Sequence, residues 1–525
     1  MRRAILTLSI CFAAAGLFLF SVRMVNLWAE PFQVGRVWQS FDLISELERA
    51  HGVPWNTELS TMAGGNQPAR FILEFPLFQY FAVILRRLTS LSVPQSGQAV
   101  ASLLAIASVV IVATFAGFLP APGPLRWAMS AAIFFIPGFL RYGITAVPDA
   151  TVFMFNAAGV SLILVGRRRN SERILCIGAL LIGLSVLVKT PALLPVFAVG
   201  AALLYERRKV AAAVLAAAAL PGIVWATLAM GINPAAKGVN EFARVAALRE
   251  WWWNPHLYTD HWWYRNLLFL HYDTLGILGL TLITFAAYLA FQRHQIFELM
   301  VLSLPPVFVL LVFNYHSASH GYYHLIWLPF SLVVSMQVIA ESGGPTWTSK
   351  TALYAVMIVG LGFLGITERI YGAIERLSGH PEAVRSFFPD PTPTLVHIQR
   401  DLRALGEADN QKDTYAAYFG DGSVNFQDSG LRGWIVGSPD LSSAKTKHVP
   451  ESVAAQEEWR RVDSDWLQDR LRRGMKFLII QQSSGWNNPS FLSAVLNCGL
   501  EESGVMDEHM FFRIRAEITR TKTSR

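Results

Sequence analysis

Cysteine and charge are what this 525-residue chain lacks. Three cysteines, Cys11, Cys176 and Cys498, give no disulfide framework, and no CxxC or Cys/His zinc spacing occurs. In the polar segment from about residue 368 no GxGxxG stretch follows a strand pattern, so that part is not read as a dinucleotide-binding unit. No fixed-period repeat is visible. Charged residues make up only 15% of the chain, where soluble domains carry nearer a quarter. A net charge of +7 would in another setting suggest nucleic acid. Here the basic residues gather in short turns between apolar runs, so they read as a topology signal and no nucleic-acid partner is expected.

What is present is apolar sequence, 53% of the chain. A span needs about 20 such residues. Runs that meet or approach this ruler lie near 4–22, 98–118, 125–146, 151–166, 174–190, 192–205, 210–230, 266–290, 297–313, 323–341 and 351–367. The first is read as an uncleaved anchor rather than a signal peptide, because it is long for the apolar part of one. Residues 75–85 are apolar but short and end in Arg86-Arg87, which suits an interfacial or re-entrant helix. With the N-terminus inside, the inner loops collect Arg2, Arg3, Arg126, Arg167 to Arg169, Arg173, Arg207, Arg208, Lys209, Arg293 and Lys350. If 75–85 crossed fully, Arg167 to Arg169 would face outward. The fold class expected is therefore a polytopic α-helical membrane protein of about 11 spans, N-terminus in and C-terminus out. A membrane domain would occupy 1–367, with a first external loop over 23–97.

From about residue 368 the composition turns polar, with Pro381, Pro389, Pro391 and Pro393 marking a linker. Strands are expected at 414–419, 475–481 and 509–515, and helices at 394–406, 462–473 and 489–498. The segment 368–525 is thus read as a soluble α/β domain outside the membrane.

The first external loop is too polar for lipid and too long for an ordinary connection. It carries Glu30, Asp42, Glu46, Glu48, Glu58 and Glu74 and closes in Glu74-Phe75-Pro76-Leu77. Asp42 either caps the helix expected after it or serves as a general base at the membrane surface. Glu74, before the Phe75-Pro76 step whose pre-proline residue Phe75 favours an extended backbone, is either a solvated loop acid or a pocket residue. Asp149, after Pro148 in an outward turn, either caps the next span or belongs to a site, since ionisable groups at that depth are costly. Lys189, in Lys189-Thr190-Pro191, either snorkels to the surface or clamps an anion. Arg141, Tyr142 and Thr145 lie at the helix end before Asp149. His316, His320, Tyr322, Tyr323 and His324 open another span. Three histidines there suit no strong metal template, so the metal question stays open. The loop 231–265 holds Trp251 to Trp253, Trp262 and Trp263 around His256, Asp260 and His261, either an aromatic belt or a surface for a lipid tail or sugar ring.

In order and sidedness these motifs, across roughly residues 1 to 370, resemble the C-type glycosyltransferases that use polyprenyl-phosphate sugars, among them the protein O-mannosyltransferases and the aminoarabinose transferases. The points of likeness are Gln39-Ser40-Phe41-Asp42, Glu74-Phe75-Pro76, Pro148-Asp149, Lys189-Thr190-Pro191 and His320-Gly321-Tyr322-Tyr323. The resemblance implies an inverting membrane glycosyltransferase of the bacterial inner membrane with its site on the outer, periplasmic side. Its partners would be membrane lipid, a lipid-linked sugar donor and an external acceptor (protein, lipid or polysaccharide); a divalent metal is an open option. It implies Asp42 as base, Glu74 and Asp149 as further catalytic acids, and Lys189, Arg141, His320, Tyr322 and Tyr323 toward the donor phosphate. A transporter or flippase of a lipid-linked substrate is the alternative, and internal repeats would be its signature. A scaffold of envelope assembly is a third.

Overall fold

A computed structural model describes residues 1–29, 35–52, 74–235, 255–319, 321–379, 415–419, 432–436, 464–472, 475–482, 489–506 and 509–514. The chain divides into two units. The first comprises Met1–Phe32, Glu74–Thr227 and Trp251–Asp390; the second comprises Gln33–Leu73, Leu228–Glu250 and Pro391–Arg525.

The first unit is helical. In chain order its elements are α1 (Arg2–Ala29), then, after the second unit's α2 (Gly35–Arg49), α3 (Leu77–Thr89), α4 (Val93–Phe118), α5 (Gly123–Ala132), α6 (Asp149–Arg168), α7 (Glu172–Val188), α8 (Leu193–Tyr205) and α9 (Lys209–Ala235). There follow α10 (His261–Gln292), α11 (Ile296–Val312), α12 (Asn314–Ser319), α13 (Leu328–Gly343) and α14 (Ser349–Gly379). Helix α9 runs on into the second unit. Among the described residues, five helical segments are long and apolar enough to cross a membrane: 2–28, 93–118, 149–168, 209–228 and 270–292. Segments 190–205, 296–312, 328–343 and 349–365 are shorter apolar helices. Helix α3 has 13 residues, well short of a span. Its Phe78, Ala82 and Val83 are buried, while the apolar Phe81, Ile84 and Leu88 are exposed.

The continuous span expected over 125–146 does not form. Helix α5 ends at Ala132, a 3-10 turn covers Ile133–Phe135, and a π turn covers Phe139–Gly143. The cause is local. Ile136 precedes Pro137 and takes an extended conformation, φ −88° and ψ 110°, which ends the helix. Gly138 then lies so close to Thr274 of α10 that a Cβ there would meet Thr274 Cγ2 at 2.4 Å. Helix α10 is itself kinked at Gly276, with φ 61° and ψ 178°. Two broken helices thus meet break to break, which frees the segment 139–143 to turn inward.

Small residues set the closest approaches elsewhere. A Cβ on Gly159 would sit 2.7 Å from the Gly178 carbonyl, and one on Gly183 would sit 2.5 Å from Ala218 Cβ. Glycine lets α6, α7 and α9 pack backbone to backbone where dispersion, not water exclusion, drives association. At the other ends of these helices, Arg167 is a hub. Its guanidinium donates to both Glu206 oxygens and to Glu298, and lies 3.7 Å over the Phe297 ring. Gln337 donates to Glu298 at 3.4 Å, and Arg168 pairs with Glu341 at 3.4 Å.

In the second unit a five-stranded sheet has the order β2-β1-β3-β5-β4, from β1 (Tyr415–Phe419), β2 (Arg432–Val436), β3 (Met475–Gln481), β4 (Leu500–Met506) and β5 (His509–Ile514). The β1–β2 and β1–β3 pairs are parallel; β5 runs antiparallel to β3 and β4. Leu478 and Ile480 of β3 pack with Leu467 of α15 (Ser464–Arg472) and Phe491 and Val495 of α16 (Pro489–Asn497). The strands expected at 414–419, 475–481 and 509–515 and the helices at 462–473 and 489–498 correspond to β1, β3, β5, α15 and α16. The expected helix 394–406 and the proline linker lie outside the described residues.

Gly276 supplies the α10 kink, and its φ,ψ pair is one that side chains with a Cβ scarcely visit. Gly276→Ala is expected to lower stability by about 1–3 kcal/mol. Thermal unfolding of the detergent-solubilised protein checks this, and an unchanged midpoint would contradict it.

Candidate functional site

Asp149 opens α6 directly after Pro148, and Lys189 closes α7 in an extended conformation, φ −153°. Since α6 and α7 are an antiparallel hairpin, the start of one and the end of the other lie at the same membrane face. The lysine ammonium donates to the Asp149 carboxylate, and both residues are 0% exposed. This decides against snorkelling: the stem does not carry the charge to water. Asp149 also occupies the first helical turn rather than the cap position, where its charge suits the N-terminal end of the helix dipole.

Two tyrosines roof the pair. The Lys189 ammonium lies 4.1 Å from the Tyr323 ring centroid and 4.9 Å from that of Tyr322. Cation–π contact of this kind gains strength as water is removed. The two rings are 4.7 Å apart, and Tyr323 meets Phe313 edge-on at 4.8 Å. Tyr322 meets Tyr142 of the π turn at 6.1 Å. Gly321 makes that approach possible, because a Cβ there would lie 2.9 Å from the Tyr142 hydroxyl. The 3-10 turn Gly321–Ile326 that carries the tyrosines is tied to α6 by Asn156, whose Nδ2 donates to the Ile326 carbonyl at 2.8 Å. Beneath it, buried His324 accepts from Trp327 Nε1 at 3.2 Å, and His271 stands 4.7 Å away, ring to ring.

Arg141 projects from the π turn to pair with Asp273 of α10, and both side chains keep part of their surface exposed, 41% and 28%. Arg23 of α1 donates to the Leu140 carbonyl at 3.4 Å. Glu74 is half-buried; the adjoining Phe75 packs on Trp225 at 5.2 Å and Tyr80 at 5.8 Å. The structure therefore brings Asp149, Lys189, Tyr322 and Tyr323 into direct contact, with Arg141 joined to them through Tyr142.

Asp42 falls in the interior of α2, in the second unit, and not before a helix as the capping alternative requires. The Asp42 side chain lies outside the described residues, as do His320 and Trp251 to Trp253. Sequence reasoning passed over Asp273, although an acid in the middle of an apolar run is a signal in its own right. Among the described residues no group of three or more His, Cys, Asp or Glu side chains is placed to hold a metal ion.

No family model and no curated protein matches the sequence. Solved structures do match. One is ArnT from Cupriavidus metallidurans bound to undecaprenyl phosphate, at 11% identity and a TM-score of 0.59, covering 97% of this chain and 98% of that one. The apo state of the same protein matches at 11% identity and a TM-score of 0.57, over 96% and 97% of the two chains. The Archaeoglobus fulgidus oligosaccharyltransferase in its apo form matches at 14% identity and a TM-score of 0.50, over 94% of this chain and 71% of that one. The chain thus has the C-type glycosyltransferase fold that its motifs imply; at these identities the likeness is one of fold.

A buried ion pair destabilises strongly when one partner is removed. Lys189→Met and Asp149→Asn are each expected to cost about 3–5 kcal/mol, and the double variant is expected to recover most of it. Denaturant unfolding of the three variants in detergent checks this; a single variant as stable as the parent would contradict it.

Proposed function

We propose that this chain is an integral-membrane, inverting glycosyltransferase that moves one sugar from a polyprenyl-phosphate carrier to an acceptor outside the cytoplasm. The observation that carries the reading is the buried Asp149–Lys189 pair roofed by Tyr322 and Tyr323 at one face of the α6–α7 hairpin. A carboxylate and an ammonium taken wholly out of water at a membrane face are costly, and such costs cluster at sites. The whole-length fold match to a protein solved with undecaprenyl phosphate supports the choice of donor.

In this reading the bond from the sugar's anomeric carbon to the phosphate oxygen breaks as an acceptor hydroxyl bonds to the opposite face of that carbon. The hydroxyl proton passes to a carboxylate, assigned to Asp42. The polyprenyl phosphate leaves with the electron pair, and negative charge grows on it. Arg141, partly exposed, is the guanidinium placed to meet that charge, joined by His320. Lys189 acts from the floor: paired with Asp149, it fixes the field under Tyr322 and Tyr323, whose outer edges face the sugar and phosphate. Glu74 lines the approach. The membrane is the bacterial inner membrane and the site is periplasmic.

Membranes containing the chain are expected to transfer a mass-labelled sugar from a polyprenyl-phosphate donor, and membranes without it are not; no transfer from any such donor would contradict the assignment. Asp42→Asn keeps the side chain's size and removes its basicity, so turnover should vanish while donor binding persists. Near-parental transfer by that variant would place the base elsewhere. Reporter fusions after Arg169 and Arg208 are expected to read inside, and fusions after Asn254 and Gly420 outside. A fusion after Arg169 that reads outside would mean that α3 crosses the membrane.

A further inference from the structure

The two turns at the Arg167 end of the helices are bound to each other. One joins α6 to α7 and carries Arg169 and Asn170, with Arg173 in the first turn of α7; the other joins α8 to α9 and carries Arg207 and Arg208, with Lys209 opening α9. Arg208 donates to the Asn170 side chain at 2.8 Å and pairs with Glu172 at 3.8 Å. Glu172 also accepts from the Ala211 backbone N–H at 3.3 Å, and Arg167 grips Glu206. These ties consume the local acids: Glu206 goes to Arg167, and Glu172 goes to Arg208 and Ala211. Arg169, Arg173, Arg207 and Lys209 remain exposed, and among the described residues none of the four makes an ion pair. Arg207 even sits at φ 59°, where glycine is the low-cost residue, so the turn keeps a cation at a position its backbone would give to glycine. Arg169 lies 5.7 Å over the ring of Phe118, which is itself exposed.

Directly along the same helices the surface becomes apolar. Ile177 and Leu180 are exposed one turn apart on α7, Leu204 and Tyr205 at the end of α8, and Val210 at the start of α9. A rigid cationic ledge on an apolar wall matches a molecule with an anionic head and hydrocarbon tails. The α6 helix has 20 residues, so the ledge stands about 30 Å from Asp149, at the opposite membrane face. It is therefore separate from the proposed transfer site.

We propose that Arg169, Arg173, Arg207 and Lys209 form a binding site for an anionic phospholipid of the leaflet at the Arg167 end. The four cations meet the headgroup phosphate, and Ile177, Leu180, Leu204 and Val210 meet its acyl chains. A general topology signal asks only for basic residues somewhere in these loops. The cross-ties instead hold two loops in one arrangement, so the cations act together on one headgroup.

The test uses the full chain in neutral detergent, stripped of lipid, with native mass spectrometry as readout. Equal amounts of cardiolipin, phosphatidylglycerol and phosphatidylcholine are added. Cardiolipin or phosphatidylglycerol adducts should exceed phosphatidylcholine adducts about tenfold or more. The variant Arg169→Gln, Arg207→Gln, Lys209→Gln should lose that preference while its lipid-free melting stays that of the parent, because none of the three takes part in the ties. Equal retention of phosphatidylcholine would overturn the proposal, as would an anionic preference surviving in the variant. If glycerol phosphate without tails displaces the lipid at equal concentration, the site is for a soluble anion and the lipid assignment falls. No sugar transfer enters the readout, so the result stands apart from the proposed activity.

Discussion

The burial of one ammonium and one carboxylate against each other is the constraint on which the rest of the first unit depends. Neither Asp149 nor Lys189 reaches water. Either alone at that depth would cost several kcal/mol, so the two must arrive together. They come from the first and last residues of the α6–α7 hairpin, at its open end, and only a hairpin whose helices keep a fixed register sets them in contact. Gly159 and Gly178 provide that register by letting the backbones touch. The tyrosine roof depends in turn on Gly321, on Asn156 and on the break at Pro137–Gly138 that turns Tyr142 inward.

The far ends of the same helices carry the complementary half of the design. Arg167 at the end of α6 grips Glu206 after α8 and Glu298 on α11, while Gln337 links α13 to the same Glu298. Helices α6 and α13 thus have one end in this network and the other at the ion pair or the turn that leads to its roof. A helix held at both ends does not slide, and the tyrosines keep their ring distances from the Lys189 ammonium. Polar contacts in apolar surroundings therefore do two jobs here, one at each membrane face.

How much of this was legible in the sequence differs by element. Apolar runs mark most helices to within a few residues, because a span of lipid-facing backbone has few alternatives to a helix. The exception was 125–146, where hydropathy stayed high while Pro137 ended the helix; composition reports burial, but the break is a backbone property. Asp149 and Lys189 were singled out because charge beside or within apolar sequence is rare; Asp42 and Glu74 stood out as acids of a long polar loop. Their pairing was not legible: 40 positions separate Asp149 from Lys189, and which cation meets which anion is decided by hairpin register. Asp273 was missed for the opposite reason, since it lies inside a run read only as a span. In the second unit β2 and β4 were missed; β4, Leu500–Met506, holds two glutamates, a serine and a glycine, and finds its place as a strand only by pairing with β5.

The most direct test of the account is sugar transfer by the double variant Asp149→Asn, Lys189→Met, compared with the parent at equal amounts of folded protein in the membrane. If the pair exists to organise a transfer site, the variant keeps its fold but loses the field beneath Tyr322 and Tyr323, and transfer from the polyprenyl-phosphate donor falls by roughly a hundredfold. If the pair is only a helix staple, a well-folded double variant transfers sugar at the parental rate, and that result would contradict the account.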